Sequence, residues 1–179
     1  MPVCHWRRLF RGILRRGALG LAAAPVLLAG NPEIGPALKV AYIYQFLNLT
    51  RWPDQGKTLV IGLFGESEVG NLMQSTFPGR IGARTVVYLR VRPGKVQPKP
   101  CHVLFIPEAY QNRVADLLAR TEDDPTLVIG DGPNFVQNGG TIGLVVVGNR
   151  LRFDLNQSSA TRKGLRFGAD LFDHVREIQ

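Results

Sequence analysis

The alternation of apolar and polar stretches along the chain predicts a series of strands and helices between residues 36 and 178. Continuous apolar runs bounded by glycine or proline are typical of buried strands, whereas apolar residues three or four positions apart indicate helices. The pattern predicts strands at 58–64, 84–91, 101–106, 126–129, 141–147 and 150–156. It predicts helices over 36–52, 67–77, 108–120 and 165–178.

The order of these elements indicates the fold class. Strands alternate with helices up to residue 129, which favours an α/β sheet with parallel pairing. The last two strands are separated only by Gly148 and Asn149, a pair of residues typical of a tight antiparallel hairpin. We therefore predict an α/β fold with a mixed, mostly parallel sheet, flanked by helices and carrying a C-terminal antiparallel hairpin.

The first predicted helix is apolar on more than one face. Its main stripe contains Ile43, Phe46, Leu47 and Thr50, and further apolar side chains lie off that stripe at Val40, Tyr42, Tyr44 and Leu49. A helix that is apolar nearly all round is buried on two sides. We expect one side to pack on the sheet and the other on a second chain.

The first thirty residues have the composition of a secretory signal peptide. A basic block without acidic residues is followed by an apolar segment, from residue 17 to 30, of mostly Ala, Leu, Gly and Val. That segment is short for a membrane span, although a retained membrane anchor is the alternative. We predict cleavage near residue 29 or 30, a periplasmic location, and a single domain over residues 31–179.

Removal of this segment changes the charge of the protein. The whole chain has 22 Lys and Arg and 14 Asp and Glu, and five of the basic residues lie in the first thirty. The mature chain therefore has 17 basic residues, 14 acidic residues and a net charge of +3. It contains no cluster of basic residues interleaved with aromatic ones, so we expect no nucleic-acid partner.

Cys101 and His102 form the one adjacent pair of reactive side chains in the mature chain. Adjacent residues of a strand point to opposite faces, and a zinc site needs three or four ligands, of which the mature chain offers few. We predict no catalytic residue, no metal ligand and no cofactor, and hence no enzyme. Cys4 would leave with the signal, so Cys101 is either buried or joins two chains.

Four stretches of the mature chain resemble one known family. They are AYIYQFLNLTRWP (41–53), LVIGLFG (59–65), CHVLFI (101–106) and NGGTIGLVVVGNRLRFDLN (138–156). In order and spacing, they are similar to the opening helix, two strands and Gly-Gly hairpin of the YfiR-like periplasmic proteins. The resemblance covers nearly the whole mature chain.

The resemblance implies a regulator that acts by protein–protein binding. Such a protein is a periplasmic homodimer that binds the sensor domain of a membrane-bound signalling protein, a diguanylate cyclase, and represses it. An outer-membrane lipoprotein relieves the repression, which raises cyclic-di-GMP and favours biofilm. The partner-binding residues carried over by motif are Ile142, Asp154 and Asn156. Ile142 could instead be a core residue, and Asn156 could cap the following helix.

The chain departs from the family at its cysteines. The resemblance implies a disulfide from the strand cysteine to the position of Gly62, and a second one near the hairpin at the positions of Val136 and Gly143. None of these three positions is a cysteine here. Redox control through those bonds is therefore excluded for this protein.

Two rival functions stay open at this point. One is a periplasmic binder of a small ligand that feeds a sensor kinase or transporter, and the other is an enzyme without a recognisable motif. A ligand binder needs a closed pocket with a few convergent polar groups. A repressor needs an exposed apolar patch with a polar rim.

Overall fold

The computed structural model describes residues 34–54, 56–93, 101–119, 121 and 124–179. The predicted signal peptide at residues 1–30 lies outside the described residues, as does most of the connector between the strands predicted at 84–91 and 101–106.

The described residues form ten strands in two sheets. A small sheet pairs β1 (Thr50–Arg51) with β9 (Arg166–Phe167). The central sheet contains β2 (Thr58–Phe64), β3 (Arg80–Ile81), β4 (Arg84–Val91), β5 (Val103–Ile106), β6 (Leu127–Asp131), β7 (Ile142–Val147), β8 (Arg150–Leu155) and β10 (Val175–Ile178).

The central sheet is mixed and mostly parallel, as the sequence predicts. Its strand order is β10-β8-β7-β6-β5-β2-β4-β3. Only the β7–β8 and β3–β4 pairs are antiparallel, and the other neighbours run in the same direction. The predicted C-terminal hairpin is confirmed as β7 and β8, which are joined at Gly148, whose φ of 58° suits a tight turn.

The described helices are α1 (Pro36–Leu49), α2 (Glu68–Thr76), α3 (Val114–Ala119) and α4 (Gln157–Arg162). Two 3-10 helices span Glu108–Arg113 and Ala169–His174. Ser67 caps α2, because its side chain accepts a hydrogen bond from the Gly70 amide at 3.0 Å. α1 ends at Leu49 rather than at residue 52, since Thr50 and Arg51 already pair as a strand with β9.

Helices cover both faces of the central sheet. α1 and α2 pack on one face, where Ile43, Phe46 and Met73 are buried among strand residues. α3 packs on the other face together with Phe135, which follows β6. This two-sided burial explains why β5 and β6 are continuous apolar runs without polar alternation.

The prediction of a helix over residues 165–178 is wrong. This segment forms β9, a 3-10 helix and β10, while the helix that follows β8 is α4. Gly168 interrupts the segment by donating its amide to the carbonyl of Leu49. Hydrogen bonds to two distant strands therefore override the local helical spacing. The helix predicted over 108–120 is also broken, because Tyr110 has a non-helical backbone with φ −117° and ψ 19°.

Phe135 is held against the sheet by glycines. It is 1% exposed, and a Cβ atom added to Gly130 or to Gly140 would lie 2.0 Å from its ring. A Cβ atom on Gly143 would lie 3.1 Å from Phe135 Cβ. The ring therefore occupies space that any side chain at these positions would fill, which accounts for the glycines around the hairpin.

We predict that Gly130→Ala destabilises the protein by about 1–3 kcal/mol, because the new methyl group would overlap the Phe135 ring. The free energy of unfolding is to be measured by urea denaturation. Gly79→Ala is the control, since a Cβ atom there meets no atom within 4 Å. Equal unfolding midpoints for the two variants would contradict this account of Phe135.

Candidate functional site

The base of the β7–β8 hairpin brings together the three residues that the resemblance assigns to partner binding. Ile142 pairs with Leu155, and the next pair along the two strands joins Gly143 to Asp154. The amide of Asn156 donates to the carbonyl of Thr141 at 2.9 Å. All three residues therefore lie at the end of the hairpin opposite its turn.

The structure gives Ile142 and Asn156 clear structural roles. Ile142 is 0% exposed and belongs to the main hydrophobic core. Asn156 is the N-cap of α4, and its Oδ1 accepts a hydrogen bond from the Ser159 amide at 2.7 Å. Both alternatives drawn from the sequence, a core isoleucine and a capping asparagine, are confirmed, and contact with a partner stays a prediction.

Asp154 is a buried carboxylate, 1% exposed, that is paired with Arg176. Arg176 Nε donates to Asp154 Oδ1 at 2.7 Å, and Nη2 donates to Oδ2 in a second, short hydrogen bond. This charge-assisted hydrogen bonding raises the pKa of Arg176. The two-pronged contact ties the edge strand β10 to β8.

A β-bulge aims Arg176 at this carboxylate. Val175 pairs with Phe153 and Glu177 pairs with Asp154, so Arg176 is the extra residue on β10. The role of Arg176 is not apparent from the sequence, because the apolar spacing of residues 165–178 predicts a helix. The β-branched residues Val175 and Ile178 were the only local signal for a strand here.

Cys101 and His102 lie just before β5, which begins at Val103 rather than at residue 101, and their side chains point to opposite faces of the sheet as predicted. Cys101 is 3% exposed and packs in the cluster that contains Phe64 and Val114. The ring of His102 lies 6.2 Å from the ring of Trp52, which belongs to the core on the other face. The buried alternative for Cys101 is confirmed, and in this conformation its sulfur is out of reach of a second chain.

His102 holds the segment after β1 against the sheet. The Val60 amide donates to Nδ1 at 3.1 Å, so the ring proton is on Nε2, which lies 3.1 Å from Asp54 Oδ2. This hydrogen bond lowers the pKa of Asp54 below its usual 3.8, Arg84 acts in the same direction, and partial burial opposes both. Trp52 Nε1 donates to the His102 carbonyl at 3.0 Å. Together, these contacts hold the segment that contains Trp52 and Asp54 against the central sheet.

Among the described residues, no three His, Cys, Asp or Glu side chains are grouped closely enough to hold a metal ion. Within the same residues, no helix is both long and apolar enough to cross a membrane.

Gly62 lies next to Cys101, at the place where the resemblance implies a disulfide partner. A Cβ atom on Gly62 would be 3.3 Å from Cys101 Sγ and 3.2 Å from a methyl group of Leu104. Similarly, a Cβ atom on Gly143 would be 3.4 Å from Val136. Both pairs of positions are therefore neighbours in this fold although neither carries a disulfide.

We predict that removing Arg176 costs more stability than neutralising Asp154. Arg176→Ala leaves a buried carboxylate without its cation, which costs about 3 kcal/mol or more. Asp154→Asn leaves Arg176 partly hydrated, because its side chain is 41% exposed, and costs about 1–3 kcal/mol. Urea denaturation measures both, with Arg51→Ala as a control expected to change little, because Arg51 is exposed and has no ion pair among the described residues. Stability unchanged in Arg176→Ala would show that the pair does not hold β10.

We also predict that Gly62→Cys forms an intramolecular disulfide with Cys101, since the two positions are close enough for an S–S bond of about 2.05 Å. Mass spectrometry of a non-reduced digest would detect the linked peptides. Gly79→Cys is the control, because its surroundings are empty to 4 Å and the new thiol should not bond to Cys101 within one chain. Absence of the 62–101 link after mild oxidation would contradict the packing described here.

Comparison with known proteins agrees with this fold. A family model described as YfiR/HmsC-like matches residues 36–174. No curated protein matches the chain. One similar solved structure is a conserved domain protein from Vibrio cholerae O1 biovar El Tor, with a TM-score of 0.56, 10% identity and coverage of 80% of this chain.

This chain spans 60% of the length of the Vibrio protein, and at that identity the likeness concerns the fold alone. The family match is more informative, because it extends from the first residue of α1 to the end of the second 3-10 helix. The protein therefore belongs to the YfiR/HmsC-like family.

Proposed function

We propose that the protein is a periplasmic regulator that binds and represses a membrane-bound signalling protein, a diguanylate cyclase. Its activity would lower cyclic-di-GMP and restrain biofilm formation. The observation that carries this proposal is the YfiR/HmsC-like match across residues 36–174. An outer-membrane lipoprotein would compete with the signalling protein for the regulator and so relieve the repression.

The proposal includes export. Residues 1–30 would act as a cleaved signal peptide and residues 31–179 would form the mature domain. In the periplasm, the domain would bind one state of the sensor domain more tightly than another and so shift its population, because equal affinity for both states regulates nothing.

The surface of the domain supports binding to another protein rather than to a small ligand. The groove along α1 is open to solvent and lined mostly by apolar side chains, with Asp170 and Asp173 on its wall. Leu38, at one end of this groove, is 43% exposed. An exposed apolar surface with a polar rim is the feature that a repressor needs.

We propose that Ile142, Asp154 and Asn156 contribute to partner binding in different ways. Ile142 and Asp154 are buried, so their contribution would be to fix the shape of the hairpin base. Asn156 is half-buried and could be touched directly. A homodimer would present two such hairpins to its partner.

We predict that deleting the gene raises the cellular level of cyclic-di-GMP, because a repressed cyclase would be released. Mass spectrometry of nucleotide extracts measures this level. The full chain expressed in trans should restore the original level, whereas a chain without residues 1–30 should not. An unchanged level in the deletion strain would remove the cyclase-repressor proposal and leave the small-ligand alternative.

A further inference from the structure

A polar cavity of about 430 Å³ lies between the C-terminal end of α1, the segment after β1 and the turn that joins β3 to β4. Its polar lining is supplied by Asn48, Thr50, Arg51, Trp52, Asp54 and Arg84. We refer to it as the arginine cavity. It is separate from the apolar groove described above, which runs along α1 beside the second 3-10 helix.

Arg84 contributes one nitrogen atom that has no partner. Its Nη2 donates to the Asp54 carbonyl at 2.8 Å and to Asp54 Oδ1 at 3.4 Å, and its guanidinium carbon lies 5.2 Å from the centre of the Trp52 ring. Its Nη1 is shielded from solvent and is the one buried side-chain nitrogen or oxygen without a hydrogen bond in the part of the chain that the structure describes. A buried N–H group of a cation without an acceptor is costly, so Nη1 marks a place for an acceptor.

Arg51 adds a second guanidinium group to the lining of the cavity. Arg51 of β1 pairs directly with Arg166 of β9, and both residues are exposed. Directly opposed side chains lie on the same side of an antiparallel pair, where like charges repel each other. Neither arginine forms an ion pair among the described residues. An anion bound beside Arg51 would relieve this repulsion.

Asp54 is the one carboxylate in the lining of the arginine cavity, and it is already engaged. Its Oδ2 accepts from His102 Nε2 at 3.1 Å, and its Oδ1 accepts from Arg84. Two arginines against one carboxylate leave the lining with a net charge of +1. Arg166 adds a further positive charge next to Arg51. The cavity therefore favours an anion over a cation.

We propose that the arginine cavity binds a phosphate group, with Arg51 and Arg84 as its donors. The planar guanidinium fork matches the spacing of two phosphate oxygens, and charge-assisted hydrogen bonds of this kind are strong. Arg84 donates through Nη1, the nitrogen that Asp54 leaves unused, while Nη2 keeps its contact with Asp54. The phosphate group is that of a free phosphate ion or that of an anionic lipid headgroup, since both present the same oxygens.

This inference goes beyond the proposed function and does not rest on it. Phosphate binding is measured on the purified protein, whereas repression is measured as the cellular cyclic-di-GMP level. A protein that binds phosphate without lowering cyclic-di-GMP would keep the site and lose the repressor, and the opposite outcome would keep the repressor and lose the site.

Trp52 provides a direct signal for the test, because it is the only tryptophan between residues 31 and 179 and its ring contacts Arg84. Protein purified after expression of the full chain is titrated with inorganic phosphate at constant ionic strength, with chloride as the balancing anion. We expect a saturable change in tryptophan fluorescence. Titration with chloride alone should give no change, since chloride cannot accept from both nitrogens of a guanidinium fork.

Two substitutions test the two donors. Arg51→Ala should weaken phosphate binding about tenfold, because it removes a charge-assisted hydrogen bond while leaving the fold intact. Arg84→Lys should weaken it by a similar factor, since lysine keeps the charge but lacks the fork. The matched control is Arg150→Ala, which removes one exposed arginine from β8, near the opposite edge of the central sheet. Its affinity for phosphate should equal that of the natural chain.

A second arm identifies the source of the phosphate group. The same proteins are sedimented with vesicles of phosphatidylcholine, with or without phosphatidylglycerol. Binding only to the anionic vesicles, lost in Arg51→Ala and kept in Arg150→Ala, would assign the site to a lipid headgroup. Saturable binding of inorganic phosphate without vesicle binding would assign it to the free ion, and binding in both arms would assign it to the phosphate group itself. Absence of binding in both arms, or equal affinities of Arg51→Ala and Arg150→Ala, would overturn the proposal.

Discussion

The attachment of the hairpin to the parallel sheet depends on a short contact between β6 and β7. Three residue pairs join these strands, and the loop between them folds Phe135 back onto the same strands. The ring fits only because Gly130, Gly140 and Gly143 have no side chains. Through this contact the antiparallel hairpin becomes part of the sheet, and its base, its tip and the edge strand β10 take their positions from it.

The parts of the fold that the sequence predicts well are those with a strong local signal. β2 has the predicted bounds, because a run of apolar, branched residues between glycines has few alternatives to a buried strand. β4 also has the predicted bounds, which follow from the alternation of apolar and polar residues over 84–91. The start of α2 is a similar case, since the helix is predicted from residue 67 and the hydrogen bond by which Ser67 caps it spans only three residues. Where the local preference of a segment agrees with its tertiary environment, the periodicity of apolar residues is enough to predict the element.

The failures occur where distant partners decide the structure. Residues 165–178 have helical spacing, but β8 and β1 supply hydrogen bonds that the local pattern does not reveal. The pairing of Asp154 with Arg176 follows from a bulge in that segment, so no reading of single residues could have found it. Ile142, Asp154 and Asn156 were selected by resemblance, and the structure shows that they shape the hairpin base. Their contact with a partner stays a prediction.

The glycine at position 62 has a consequence for how the chain folds. Residues 31–179 contain a single cysteine, and the neighbouring strand offers it only a glycine. No disulfide can therefore form within residues 31–179, so this part of the chain folds without an intrachain oxidation step. Residues 31–179 keep the same intrachain covalent framework in oxidising and reducing surroundings, and the packing of Leu104 and Cys101 against Gly62 stabilises the centre of the sheet without a crosslink.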